Sequence, residues 1–244
     1  MTIVRSEIFK RFPEILFGMS TNSGGVSSGT LGLNLSFHVN DNPDDVKENR
    51  KRFFAQLGIS EDHVAFTRQQ HTVNIVTVNQ SGINENCDAL ITGKRNIFLS
   101  ISVADCTPVM LYDPRENIIA GIHAGWRGTA GRITEKTVLQ LKNDYNCDPA
   151  EIVAFIGPSA GKCCYEVGEE VASQFPERCS SVLPNGKYLL DVKLANAIQL
   201  LECGVRNSNI EVHKECTIEN GLYHSHRRDG KGSGRMLAII GMTK

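Results

Sequence analysis

Three apolar or alternating runs crowd the middle of this chain with almost nothing between them: Asn96–Ala104, Pro108–Asp113 and Asn117–Ala124. Each reads as a strand bounded by turn residues. The Asp113-Pro114 dipeptide makes the last two runs a hairpin. Further strands are predicted at Val73–Val78, Glu151–Gly157, Ile210–His213 and Met236–Gly241. Helices are fewer. One spans Asp44–Leu57, with Asn42 as cap, Pro43 in the first turn and Gly58 as stop. A second runs over Thr129–Tyr145, and VGEEVASQFP carries a short one. A third follows the cap Asp191, carries Leu194, Ala197, Ile198 and Leu201 on one face, and stops at Gly204. Strands in hairpins outnumber helices, so an α+β fold with mixed sheets is expected rather than a doubly wound parallel sheet.

The 244 residues contain no repeat or linker, and the strongest loop signal is Thr21–Gly32. A single domain over 1–244 is expected, with about 70% of the chain's surface buried on folding. Lys+Arg number 26 and Asp+Glu 27, which removes the main electrostatic reason to expect a nucleic-acid partner. Apolar stretches such as Met236–Met242 fall far short of the roughly 20 residues of a membrane helix. The first residues carry Arg5, Glu7, Lys10 and Arg11 without an apolar stretch, so a cytoplasmic location without a secretory leader is predicted. The eight cysteines are then reduced thiols, and none forms a CxxC pair. A monomer is expected.

Three reactive residues fall at predicted strand ends: His71 in QQHTVNIV, Cys106 in SVADCTPV and His123 in IHAGWRGTAG. One Cys and two His converging from three strand ends would make a three-ligand metal site with an open fourth position. The same residues could equally make a Cys nucleophile with a His base. The segment Gly125–Gly131 points to an anion, because glycines at a helix start expose backbone N–H groups and Arg127 adds a charged donor. The basic stretch His224–Arg235, which includes Arg227 and Arg228, is a second candidate clamp.

AGIHAGWRG, VADCTPVMLYD, DALIT (Asp88–Thr92), IGPSAGKCCYEVG (Ile156–Gly168) and SHRRDGKGSGR together resemble the YfiH-like, or laccase-domain (multicopper polyphenol oxidoreductase), family. Its members are regarded mainly as purine nucleoside phosphorylases with added adenosine deaminase activity. The resemblance covers essentially the whole chain. It implies an α+β fold with a sandwich-like core and outer helices, distantly like the cytotoxic-necrotising-factor cysteine hydrolases. It also implies Zn²⁺ held by His71, Cys106 and His123. Asn34 matches the family's Leu-Asn-Leu and is expected, with Arg127 and Arg228, to face substrate. Two departures stand out: Asn22 follows Thr21 where the family has arginine, and Gln70 and Thr72 flank His71 where it has Val and Gly.

The reading that follows is phosphorolysis of adenosine, inosine, guanosine or methylthioadenosine to the free base and ribose 1-phosphate, with zinc-assisted adenosine deamination. Copper-dependent polyphenol oxidation is the first alternative. A full laccase centre needs about ten histidines, and this chain has seven, so copper is expected only as Cu²⁺ captured in vitro. An amidase acting on a peptidoglycan precursor is the second. Cys87, Cys147, Cys163, Cys164, Cys179, Cys203 and Cys216 are assigned to packing or to the surface.

Overall fold

A computed structural model describes residues 1–243. The first half runs through β1 (Ile3–Val4), β2 (Ile15–Ser20), α1 (Pro43–Leu57), β3 (Val64–Thr67), β4 (Ile75–Thr77), β5 (Gly82–Asn84), β6 (Ala89–Thr92), β7 (Phe98–Val103), β8 (Thr107–Asp113) and β9 (Ile118–Ala124). The second half comprises α2 (Trp126–Ala130), α3 (Ile133–Tyr145), β10 (Val153–Ile156), β11 (Glu166–Val167), α4 (Glu169–Ala172), β12 (Ser180–Val182), β13 (Tyr188–Leu190), α5 (Val192–Glu202), β14 (Ile210–Val212), α6 (His226–Asp229) and β15 (Met236–Met242). One six-stranded sheet has the order β1-β2-β15-β7-β3-β5, and a second has β14-β10-β8-β9-β6-β4. A small sheet β11-β13-β12 stands apart from both.

The two large sheets are mixed and stack face to face. Leu99 and Ile101 of β7 and Ala238 and Ile240 of β15 meet Met110 and Tyr112 of β8 and Phe155 of β10 in one core. Alternate residues point outward and are buried again. Val109, Leu111, Ala120 and Ile122 pack beneath α3 and α5, while Leu237 and Ile239 pack against Phe53 and Phe54 of α1. The layers run helix, sheet, sheet, helices. This explains why β8, β9 and β15 are apolar at nearly every position: both faces are covered, and alternation has no solvent side to serve. Among the described residues, no helix is long and apolar enough to cross a membrane.

The α+β expectation with outer helices holds, as does the hairpin at Asp113-Pro114: β8 and β9 pair antiparallel from Thr107↔Ala124 to Asp113↔Ile118. The Asn42 side chain accepts from the Asp44 N–H and Asp191 from the Leu194 N–H, as the cap positions predict. The expected helix Thr129–Tyr145 is corrected. It is broken at Arg132, whose left-handed backbone (φ 64°) separates α2 from α3.

Candidate metal centre

Register brings the three sequence-predicted ligands to one place. β9 lies between β8 and β6, so that Pro108 faces His123 on one side and Ala89 faces Ile122 on the other. Strand side chains alternate faces. His123 therefore points the same way as Ile119, toward the sandwiched interior, and Cys106 is in step with Met110. His71 reaches the same end from the turn between β3 and β4. Its Nε2 lies 3.8 Å from the Cys106 Sγ, and the ligand atoms of His71, Cys106 and His123 all lie within 4.8 Å of one another.

The backbone is bent to make this possible. His71 (φ 59°) and Asp105 (φ 79°) both sit in the left-handed region, a conformation that costs non-glycine residues on the order of 1 kcal/mol and gathers at functional sites. Asp105 is held there by Thr217 Oγ1 at 2.6 Å and the Arg227 N–H at 2.7 Å, both donating to its carboxylate. Gly125 completes the enclosure. A Cβ on it would stand 3.0 Å from the Cys106 Sγ and 3.1 Å from the His71 ring, so a side chain here would displace the ligands. Glycine at the helix start makes room for these side chains by its absence of bulk.

The organising residue is Asp88, which the motif DALIT contains but to which the sequence alone assigns no role. It is fully buried and accepts five hydrogen bonds. The Gln70, His71 and Thr72 N–H groups donate at 3.2, 3.0 and 2.7 Å, the Thr72 hydroxyl at 2.8 Å, and His123 Nδ1 lies at 2.8 Å. One carboxylate thus fixes the turn bearing His71 and the ring orientation of His123. With Nδ1 committed to Asp88, His123 presents Nε2 to the site, the arrangement that carboxylates give to metal-binding imidazoles. The only prior signal was an acidic residue directly before an apolar run.

The electrostatics are those of a thiolate among imidazoles. Burial alone would push the Cys106 thiol up, but the charge and hydrogen bond of His123, then those of His71, pull it down to about 6. Burial opposes charge on His123 too, yet Cys106 and Asp88 raise it to about 9. Asp88 is pulled down to about 2, burial being outweighed chiefly by its hydrogen bond with His123. In the metal-free protein the Cys106–His123 pair is therefore charged between about pH 6 and pH 9. It loses its thiolate as pH falls through the lower value and its imidazolium as pH rises through the upper. In chelator-treated protein, alkylation of Cys106 is expected to be half-maximal near pH 6. Peptide mass spectrometry across a pH series checks this, and a midpoint near 9 would contradict it.

The three ligands line a cleft of about 570 Å³ with Arg68, Arg235, His38 and His226. It shares Ser36, His38, Thr67, Arg68 and Ser102 with an adjoining lobe of about 420 Å³, whose wall includes Phe66, Ile83 and Leu237. The other sequence-predicted substrate residues lie elsewhere. Arg127 is exposed and stacks on the Trp126 ring at 4.4 Å. Asn34 is fully buried, donating to Ser36 O and Asp41 and accepting from the Arg235 N–H at 3.0 Å. It positions Arg235 without facing the cleft. Arg228 spends its guanidinium on the carbonyls of Thr217, Ile218 and Tyr223 and on Asp229, pinning a loop. Asn22 ties its own loop to Gly221 and Leu222. Arg68 and Arg235 are the cationic residues of the cleft; Arg235 ends the basic stretch His224–Arg235 that the sequence marks as a candidate clamp, whereas Arg68 does not stand out in the sequence.

A profile of the family described as multi-copper polyphenol oxidoreductase laccase matches residues 16–243. The purine nucleoside phosphorylase YlmD of Geobacillus stearothermophilus is 36% identical over 94% of this chain and 91% of its own length. The crystal structure of YlmD from that organism superposes with a TM-score of 0.94 at 33% identity, covering 100% of this chain and 97% of that one. A purine nucleoside phosphorylase of Deinococcus radiodurans is 39% identical over 92% of this chain and 88% of its own. An adenosine deaminase from an unknown prokaryotic organism is 32% identical over 95% and 96%.

Proposed function

This chain belongs to the multi-copper polyphenol oxidoreductase laccase family, and from that membership we propose that it is a purine nucleoside phosphorylase with an accompanying adenosine deaminase activity. The observation that carries the reading is the convergence of His71, Cys106 and His123 on a cleft that also holds two arginines. Relatives of 31–39% identity bear the phosphorylase name, and one bears the deaminase name.

The donor set fits a zinc ion: two imidazoles and one thiolate at strand ends, a carboxylate behind one imidazole, and a fourth side open to the cleft. Zn²⁺ bound there supplies Lewis acidity toward a purine or a water molecule. The chain does the rest. Phosphorolysis breaks the C1′–N9 bond, joins a phosphate oxygen to C1′, and leaves the bond's electron pair on the purine, which takes up a proton. Arg68 and Arg235 offer the charged donors that a phosphate needs beside C1′. The adjoining lobe behind Arg68, walled in part by Phe66, Ile83 and Leu237, would accept the 5′ side of the nucleoside, where the methylthio group of methylthioadenosine would lie. We further propose adenosine, inosine and guanosine as substrates, with Cu²⁺ entering the same donors only in vitro.

Two other readings use the same residues. The order Cys106, His123, Asp88 is that of a nucleophile, its base and the base's orienting carboxylate, which favours an amidase as second reading. Phenol oxidation at a multicopper centre is disfavoured by ligand supply: the described residues hold one mixed His/Cys cluster and one made of cysteines alone. The deciding experiment incubates zinc-loaded protein with inosine with and without phosphate and weighs the products. Ribose 1-phosphate formed only with phosphate is expected. Hypoxanthine released at the same rate without phosphate would mean a hydrolase.

A further inference from the structure

The seven other cysteines are not all packing. Cys163, Cys164 and Cys216 bring their sulfurs within 4.8 Å of one another, outside the cleft described above. Cys163 and Cys164 sit on a tight turn closed by the Cys164 and Tyr165 N–H groups donating to Gly161 O, each at 3.0 Å. Their sulfurs are 3.3 Å apart. Cys216 arrives from a segment bridged to Ser159, where the Thr217 N–H donates to Ser159 O at 3.0 Å. Gly161 lies between the two segments. A Cβ there would stand 3.0 Å from the Cys216 Cβ and 3.2 Å from the sulfurs of both Cys163 and Cys216, so the close approach of the thiols depends on glycine.

Donors and charged side chains surround the three thiols. The Gly161 N–H donates to the Cys216 Sγ at 3.2 Å. Glu219 supplies a carboxylate oxygen 3.7 Å from the Cys163 Sγ. Lys162, Lys193 and Lys214 line the same depression. The buried Lys193 donates to the carbonyls of His213 and Glu215, each at 3.0 Å, bracing the approach to Cys216.

We propose that Cys163, Cys164 and Cys216, with Glu219 as fourth ligand, form a second metal site that takes a thiophilic d¹⁰ cation of the zinc type. Three sulfurs around one zinc lie about 3.8 Å apart when each Zn–S bond is about 2.3 Å, so the observed spread closes with small side-chain motions. Binding releases the thiol protons, and the lysines offset the excess negative charge of the ligand set. The site is structural. It would clamp segment 159–165 to segment 213–219, and both segments reach Asp105, through the Ala160 N–H to its carbonyl and the Thr217 hydroxyl to its carboxylate. Cys106 is the next residue.

Zinc titration of the reduced, metal-free full chain tests this without reference to turnover. Two equivalents are expected for the wild type, one for Cys106→Ala, one for Cys163→Ala and none for the double variant. Cys163 is exposed, so its truncation leaves the core intact. Glu219→Gln, which keeps the side chain's shape, is a second variant and should weaken the same equivalent. With Co²⁺ in the Cys106→Ala protein, a thiolate charge-transfer band should appear and vanish on adding Cys163→Ala. One equivalent in the wild type, unaltered in Cys163→Ala and Glu219→Gln with all thiols counted as free, overturns the site and leaves the phosphorylase reading untouched.

Discussion

Truncating Cys106 to Ala is expected to strip the metal from the His71–Cys106–His123 site and to lower inosine turnover by about a thousandfold. The thiolate is the only anionic member of the set, and two neutral imidazoles on strand ends are a weak site for a divalent ion. Lewis-acid assistance is worth several kcal/mol, and about 4 kcal/mol corresponds to three orders of magnitude in rate. The cost in stability should be small, since Cys106 is only half-buried and the neighbouring strand pairing is unaffected. Elemental analysis, a thermal melt and turnover of the same sample separate the outcomes. Retention of the metal with full activity would remove Cys106 from the site, whereas retention of the metal with lost activity would favour a nucleophilic role.

Asp88→Asn is expected to cost about 3 kcal/mol of stability and to weaken metal binding 10- to 100-fold. The carboxylate accepts from five donors, split between its two oxygens. An amide has one acceptor oxygen, so its NH₂ must face either the His71 N–H and His123 Nδ1 or the Gln70 and Thr72 donors. Each buried donor left unpaired costs roughly 1–3 kcal/mol. Because Asp88 is held down to about 2, its contribution is present in full above the usual carboxylate range near 4. It is lost as pH falls toward 2. Denaturant melts of the two proteins should accordingly differ above the carboxylate range and converge in acid. Equal midpoints at neutral pH, or unaltered metal affinity, would deny Asp88 its role.

The features legible without coordinates are those set by neighbours in the chain. Asn42, Gly58 and Asp191 mark helix ends because a cap is a contact across a few residues. The hairpin of β8 and β9 follows from the Asp113-Pro114 turn between two strand-like runs. Strands β2, β3 and β6 escaped because a short apolar run buried on both faces carries no alternation, and β6 stood only as part of a motif.

The site divides along the same line. The three side chains that converge, His71, Cys106 and His123, could be picked out from a Cys and two His at predicted strand ends together with a resemblance spanning the chain, since donor chemistry is a property of residue type. Which residues serve them could not be read in this way. Asp88 becomes the hub only because β6 lies beside β9, and Arg235 reaches the cleft only because Asn34, from the far end of the chain, holds its backbone. Arg127 shows the converse, with suitable local chemistry turned by the fold onto Trp126. Cys163, Cys164 and Cys216 were dispersed thiols until the bridge at Ser159 brought them together. Residue types, caps and turns follow from contacts within a few residues of chain. Which distant side chains meet follows from the fold, because strand order and register are settled by burying both sheets together and not by any local pattern.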